Sequence, residues 1–249
     1  MNFRQRLCIL MLLVAFGHTN AQVKVTTLIL GGGDNGPLYL FPFVHAANEQ
    51  VAQRINAHLQ QDMLENDTVL TDTNKVFENI RYINTDSVHR SGYESINYAV
   101  EVNNSKILSV AFETVVMGAY EYDFVAYHNF NVQSGRVITA KDMFTPNGIV
   151  ALKKILISRR KKLISEWLKE ADTLFVKDEL ESMEETFGEC NSEAEEDDFL
   201  IKAGSIFFHK RWCFSHGEMD READLNIELY FADINKYLSE NGRKLLLQK

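Results

Sequence analysis

The chain has 249 residues, with 35 acidic against 26 basic side chains and a formal net charge of −9. That balance argues against nucleic acid or an anionic membrane surface as a charge-matched partner. The length suffices for one full hydrophobic core or two small ones.

Residues 1–21 read as an export signal. Arg4 and Arg6 give a positive start, the apolar run 7–16 is too short to span a bilayer, and Thr19-Asn20-Ala21 offers a small-residue cleavage site. An uncleaved anchor is the alternative. Cys8 sits inside the apolar run rather than after a small-residue box, so a lipoprotein anchor is not expected. Cleavage leaves 228 residues and a net charge of −11, since Arg4 and Arg6 are the only charged residues removed. No later segment is apolar enough for a membrane span, so the expected product is periplasmic or secreted. Only Cys190 and Cys213 then remain, an even pair in an oxidising compartment, and a disulfide is expected between them. Two buried thiols, or one working thiol, are the alternatives.

In the mature chain, residues 23–30 read as a strand. Gly31, Gly33 and Gly36 satisfy G-x-G-x-x-G, but Pro37 and a β-prone run follow where a dinucleotide site needs a helix, so no nucleotide cofactor is expected. Ala47, Val51, Ile55, Leu59 and Met63 recur every four residues, which predicts a helix over about 46–65. Residues 81–84 read as a short extended piece. Ile96, Tyr98, Val100 and Val102 alternate as a strand, and Asn103-Asn104-Ser105 turns the chain. From 107 to 132 period two continues: Leu108, Val110, Phe112 and Val116 share one parity, and after Gly118 Tyr120, Tyr122, Phe124, Ala126, His128, Phe130 and Val132 share a face. Two long strands joined near Met117-Gly118-Ala119 are predicted, with Ser134-Gly135 turning into a short third strand at 137–139.

Pro146-Asn147-Gly148 precedes a second helix with Ile149, Leu152, Leu156, Leu163 and Trp167 on one face. Its basic run, residues 159–162, reads as a solvated face answering the acidic stretch 178–198, which itself reads as a solvated loop. Strands are expected near 199–201, 204–214 and 225–231, and a closing helix over 234–247. The fold class is α+β: an antiparallel meander sheet with one N-terminal helix and two helices from the C-terminal half packed on it. The expected division is a signal peptide over 1–21, a helix-and-strand portion over 22–105 and a sheet domain over 106–249, the latter two packed together.

Candidate chemistry is sparse. His209, Cys213 and His216, with Glu218 and Asp220 behind them, contain zinc-type ligands. On a strand, however, His209 and Cys213 lie about 13 Å apart, and a disulfide would remove Cys213. No metal is expected. No nucleophile elbow, zincin helix or paired-acid motif is present in the sequence. The aromatic rows are the remaining candidate: Tyr120, Tyr122, Tyr127 and His128 form a potential stacking platform for a ligand, although strand aromatics and a lone His more often fill a core. No catalytic residue is expected.

An ordered set of features resembles the paired extracytoplasmic domains of RsiV-type anti-sigma factors and the domains that precede the catalytic domain in PdaC-type peptidoglycan deacetylases. These are Tyr39 to Pro42 leading into a helix with Ile55-Asn56; Ile107-Leu108-Ser109; Gly118-Ala119-Tyr120; Asn129-Phe130-Asn131 with Gly135-Arg136 and Asp142-Met143-Phe144; and the closing strand and helix over 225–247. The likeness spans about 38–247. Relatives usually carry Gly-Gly-Ala-His where this chain has Met117-Gly118-Ala119-Tyr120, so any role of that His is not transferred. The resemblance implies an exported, non-enzymatic binding or sensor domain of the cell envelope, taking a cell-wall glycan fragment or an envelope protein such as a wall-degrading enzyme. A small wall-directed hydrolase is the alternative.

Overall fold

The alternation along 107–131 becomes two long strands, β4 (Ile107–Met117) and β5 (Glu121–Asn131), in a computed structural model that describes residues 23–31, 38–64, 72, 74–76, 92–117, 121–214 and 222–247. The export signal, the glycines beyond Gly31, the 81–84 segment, the Gly118-Ala119-Tyr120 turn and His216, Glu218 and Asp220 lie outside these residues. β3 (Gly92–Asn103), β4 and β5 form an antiparallel meander, while the short strand expected at 137–139 is a single bridge, Val137 to Phe130, because the chain turns into a helix at Ala140. The sheet as a whole is mixed. β1 (Lys24–Gly31) and β2 (Leu38–His45) make an antiparallel hairpin, and β2 lies parallel to β3 through Tyr39 opposite Ile96, giving the order β1-β2-β3-β4-β5. The alternating pattern predicts only antiparallel pairing. A parallel contact between segments far apart in the chain has no local signature.

Helix α1 (Glu49–Leu64) covers one face of this sheet. Its four-residue stripe, Val51, Ile55, Leu59 and Met63, is fully buried against Leu108, Val110, Phe112 and Phe130. Asn56, one position on from that stripe, is buried because its amide both accepts from Val44 N–H and donates to Val44 C=O, each at 2.8 Å. Gly135 has φ +70°, and a Cβ there would lie 2.8 Å from the Val51 carbonyl. The turn after β5 therefore reaches α1 only with glycine.

The opposite face of β4 and β5 meets a second layer: β6 (Phe199–Lys202), β7 (Ser205–Phe208) and β8 (Ile227–Tyr230) in a three-stranded antiparallel sheet, with α2 (Ala140–Met143), α3 (Pro146–Ala171), α5 (Phe231–Ile234) and α6 (Glu240–Leu246) around a second apolar cluster. Asn129 joins the layers. Its Nδ2 donates to Phe199 C=O at 2.6 Å and its Oδ1 accepts from Ile201 N–H at 2.8 Å and Ser109 Oγ at 2.9 Å. Helix starts follow the usual capping chemistry. Asp142 Oδ2 accepts from Thr139 N–H at α2, and Thr145 and Ser239 hydroxyls accept from Gly148 and Gly242 at α3 and α6.

Three expectations change. The acidic stretch is mostly helix α4 (Lys177–Cys190), not a solvated loop, because Met183 and Phe187 at spacing four bury against Ile164 and Leu225. The closing helix is broken: α5 and a 3-10 turn (Asn235–Tyr237) precede Ser239, whose cap starts α6. The 159–162 run is not wholly solvated, since Arg160 is completely buried. Cys190 and Cys213 are joined by a disulfide, tying the end of α4 to the segment after β7.

Candidate functional site

β5 is the last strand of the large sheet, and its outer edge borders a cleft of about 650 Å³. Residues 124–128 make its floor, α1 supplies His58 and Asp62 on one side, and residues 195–198 with Arg211 make the other. A second cavity, about 780 Å³, lies between α3 and α4. The first is the candidate, because it brings together two histidines, His58 and His128, with Tyr127 and Glu196, all of them perturbed.

Successive residues of a strand point to opposite faces, and this divides the predicted residues. His128 points towards α1, its ring 5.5 Å from Phe112 and 5.3 Å from His58. Tyr127 points the other way, edge-on to Phe207 at 5.9 Å and His209 at 5.5 Å. Both line the cleft because it wraps around the strand edge. Tyr122 is half-buried, its ring 6.1 Å from Trp212, and lies outside the cleft lining. Tyr120 falls outside the described residues.

His128 is buried, and desolvation pushes its pKa down to about 4 despite the Asp62 carboxylate, which works in the opposite sense. Its Nε2 lies 3.4 Å from Asp62 Oδ2, but the alignment does not make a hydrogen bond, and the nitrogen is left without a partner. Burial likewise lowers His58. Across the cleft, His209 Nδ1 meets Asp198 Oδ2 at 3.0 Å, and Arg211 Nε lies 3.7 Å from the same oxygen. The Tyr127 hydroxyl is pushed up to about 12, by burial first and then by surrounding carboxylates, led by Asp198.

The lining carries five carboxylates against Arg211. Glu195 is paired with Lys210 at 3.1 Å, Glu196 with Lys153 at 2.7 Å, and Asp197 accepts the Ala140 N–H at 2.7 Å. Exposed apolar groups, Phe124 at 41 % and Val137 at 38 %, complete the wall.

The acidic wall is held from behind by Arg160. Its guanidinium donates to the carbonyls of Ala194 at 2.7 Å, His209 at 2.9 Å and Leu225 at 3.1 Å. Desolvation lowers its pKa, with Glu195 and Asp198 opposing.

Tyr127 and His128 are legible in the sequence, whereas His58, Asp62, residues 195–198 and Arg211 join them only in the fold. His58 and Asp62 carry a local signal, since they stand four apart beside the α1 stripe. The acidic wall has none, because only tertiary packing brings it to β5. His209 belongs to an ion pair and Cys213 to the disulfide, and among the described residues no group of three His, Cys, Asp or Glu side chains is placed to hold a metal ion.

No protein-family model matches the chain, and no curated protein matches it. Solved structures do. A member of the DUF3298 family from Bacteroides fragilis shares 12% identity over 92% of this chain and 98% of its own, with a TM-score of 0.59. A DUF3298 family protein from Pseudomonas aeruginosa shares 12% identity over 89% of this chain and 95% of its own, with a TM-score of 0.51. At that identity the likeness is one of fold: the chain has the α+β architecture of these two domains along nearly its whole length.

Proposed function

We propose that the chain is an exported, non-enzymatic ligand-binding or sensor domain of the bacterial cell envelope, and that the cleft beside β5 receives its ligand. One observation carries this reading: exposed apolar groups, Phe124 and Val137, stand beside Tyr127 and a rim of carboxylates in one cleft. An apolar floor with a few convergent polar groups suits a ligand of mixed polarity. Export is supported by the pattern of residues 1–21 and by the Cys190–Cys213 disulfide, which persists in oxidising compartments. The motif resemblance to RsiV-type and PdaC-type domains favours a wall fragment or a wall-degrading enzyme as the ligand.

The test is titration of the mature chain, from Gln22, with peptidoglycan fragments and with a lysozyme, while the fragments are followed by mass spectrometry. Saturable binding without product, weakened about tenfold by Phe124→Ala, is the expected result. Binding indifferent to Phe124→Ala would move the site elsewhere.

A second reading, a small wall-directed hydrolase, is favoured by the two His–carboxylate pairs flanking the cleft, His128 with Asp62 and His209 with Asp198. The unprotonated His128 Nε2 has no hydrogen-bond partner and can accept a proton, but a pKa of about 4 makes it a weak base unless a ligand raises it. Cleaved or deacetylated product, abolished by His128→Gln, would establish it in place of the first.

A further inference from the structure

An edge strand exposes a row of unpaired backbone groups, and β5 shows which ones. After the strand, Asn131 N–H donates to Arg136 C=O at 2.9 Å and Ile138 N–H to Asn129 C=O at 2.7 Å, so odd-numbered residues face outward. Val132 N–H turns inward, to Lys106, and Phe124 C=O accepts from Thr114 Oγ1 of β4, as the even-numbered positions require. The segment 136–138 therefore covers the edge only at residues 129–131. Among the described residues, nothing is hydrogen-bonded to the outward groups of Asp123, Val125 and Tyr127. That open stretch is the one that borders the cleft.

Both sides of the open edge are acidic. Asp62 stands on the α1 side, near the buried His128 Nε2 that has no hydrogen-bond partner, and residues 195–198 stand on the Tyr127 side. A strand laid on β5 would direct alternate side chains to each wall. A second copy of this chain is a poor occupant: its own β5 carries Glu121 and Asp123, and the chain's net charge is −9.

We propose that the open edge of β5, from Asp123 to Tyr127, receives an extended, Lys- or Arg-bearing segment of a partner protein as a sixth strand of the large sheet. The incoming segment needs about five to seven residues, roughly 20 Å of extended chain. Main-chain hydrogen bonds hold it, and basic residues at adjacent positions, which point to opposite faces, meet Asp62 on one side and residues 195–198 on the other. The proposal rests on the cleft being the ligand site.

The test pans a random nine-residue peptide library displayed on phage against the mature chain, then measures selected peptides by calorimetry and amide hydrogen exchange. Selected peptides are expected to carry Lys or Arg at adjacent positions, one for each face, and to slow exchange at the Val125 and Tyr127 amides. Val125→Pro removes an outward donor but no bond to β4, so it should keep the fold, checked by its melting curve, and weaken binding at least tenfold. Asp62→Lys should weaken it without touching the edge. Binding with unchanged Val125 and Tyr127 exchange overturns strand addition, and selection of acidic peptides overturns the charge argument. Slowed exchange at these amides in concentrated free protein makes the occupant a second copy and overturns the proposal. If no peptide is selected while wall fragments still bind in the cleft, this proposal fails and the binding-module reading stands. If neither binds, both fail.

Discussion

The Arg160 guanidinium on α3 donates to the Ala194 carbonyl at 2.7 Å, immediately before the acidic wall of the cleft. With its bonds to His209 and Leu225, one buried side chain ties three separate segments to a helix. Arg160→Met keeps the apolar stem but leaves three carbonyls without a donor. It should cost about 3–5 kcal/mol in denaturant unfolding, since each unsatisfied buried group costs about 1–3 kcal/mol. A loss under about 1 kcal/mol would show that water replaces the guanidinium without penalty.

Asn129 joins the two sheets in the same manner. Asn129→Leu, of similar size, removes a donor to Phe199 C=O and an acceptor for Ile201 N–H and Ser109 Oγ. The expected loss is about 2–3 kcal/mol. It should appear first as faster amide exchange at Ile201, ahead of any change in β4. Uniform loss of protection across both sheets would contradict a local joint.

The His128 pKa makes stability depend on pH. Burial lowers it from 6.5 to about 4, so the folded state takes up its proton later than the unfolded state. This contribution is fully present above about pH 6.5 and is lost as pH falls through about 4, a change on the order of 3 kcal/mol. His128→Phe should flatten the stability profile across that window. The ring-proton titration of His128 by NMR checks the value directly, and a midpoint near 6.5 would refute the assignment.

The disulfide spans 23 positions. Its loss should cost about 3 kcal/mol in the chain-entropy model. Intact mass and alkylation without reductant should find no free thiol at Cys190 or Cys213. In the Cys190→Ser, Cys213→Ser double variant, the segment around Cys213 should lose protection first. There the Glu222 carboxylate accepts the Cys213 and Phe214 amides at 3.0 and 3.1 Å.

The meander was legible because period two runs almost unbroken from Leu108 to Val132, and α1 because its stripe recurs every four residues. The Asn129 to Asp142 motif behind the family resemblance is built of folding devices. Asn129 docks β6, Asn131 Oδ1 accepts from the Gln133 and Ser134 amides to turn the chain, and Asp142 starts α2. They therefore point to a fold and not to a ligand. Arg160 was readable in principle: Leu152, Leu156, Arg160 and Ile164 make one four-residue stripe, all buried. Its basic neighbours Arg159, Lys161 and Lys162 concealed it. α4 was concealed by its carboxylates, although Met183 and Phe187 kept helical spacing. The cleft was not legible, because α1, β5 and residues 195–198 meet only through packing between segments distant in sequence.

The parallel pairing of β2 with β3 also sets an order of assembly. β3, β4 and β5 are separated by only three residues each and can pair as soon as they meet, whereas Tyr39 must find Ile96 across 57 positions, a slower closure. The N-terminal hairpin is thus the late-arriving shield of β3. A protease that cuts within residues 46–48, between β2 and α1, would free that shield to leave, and the sheet would then offer an unpaired border on each side. Nicked protein should therefore lose amide protection along β3 where intact protein keeps it.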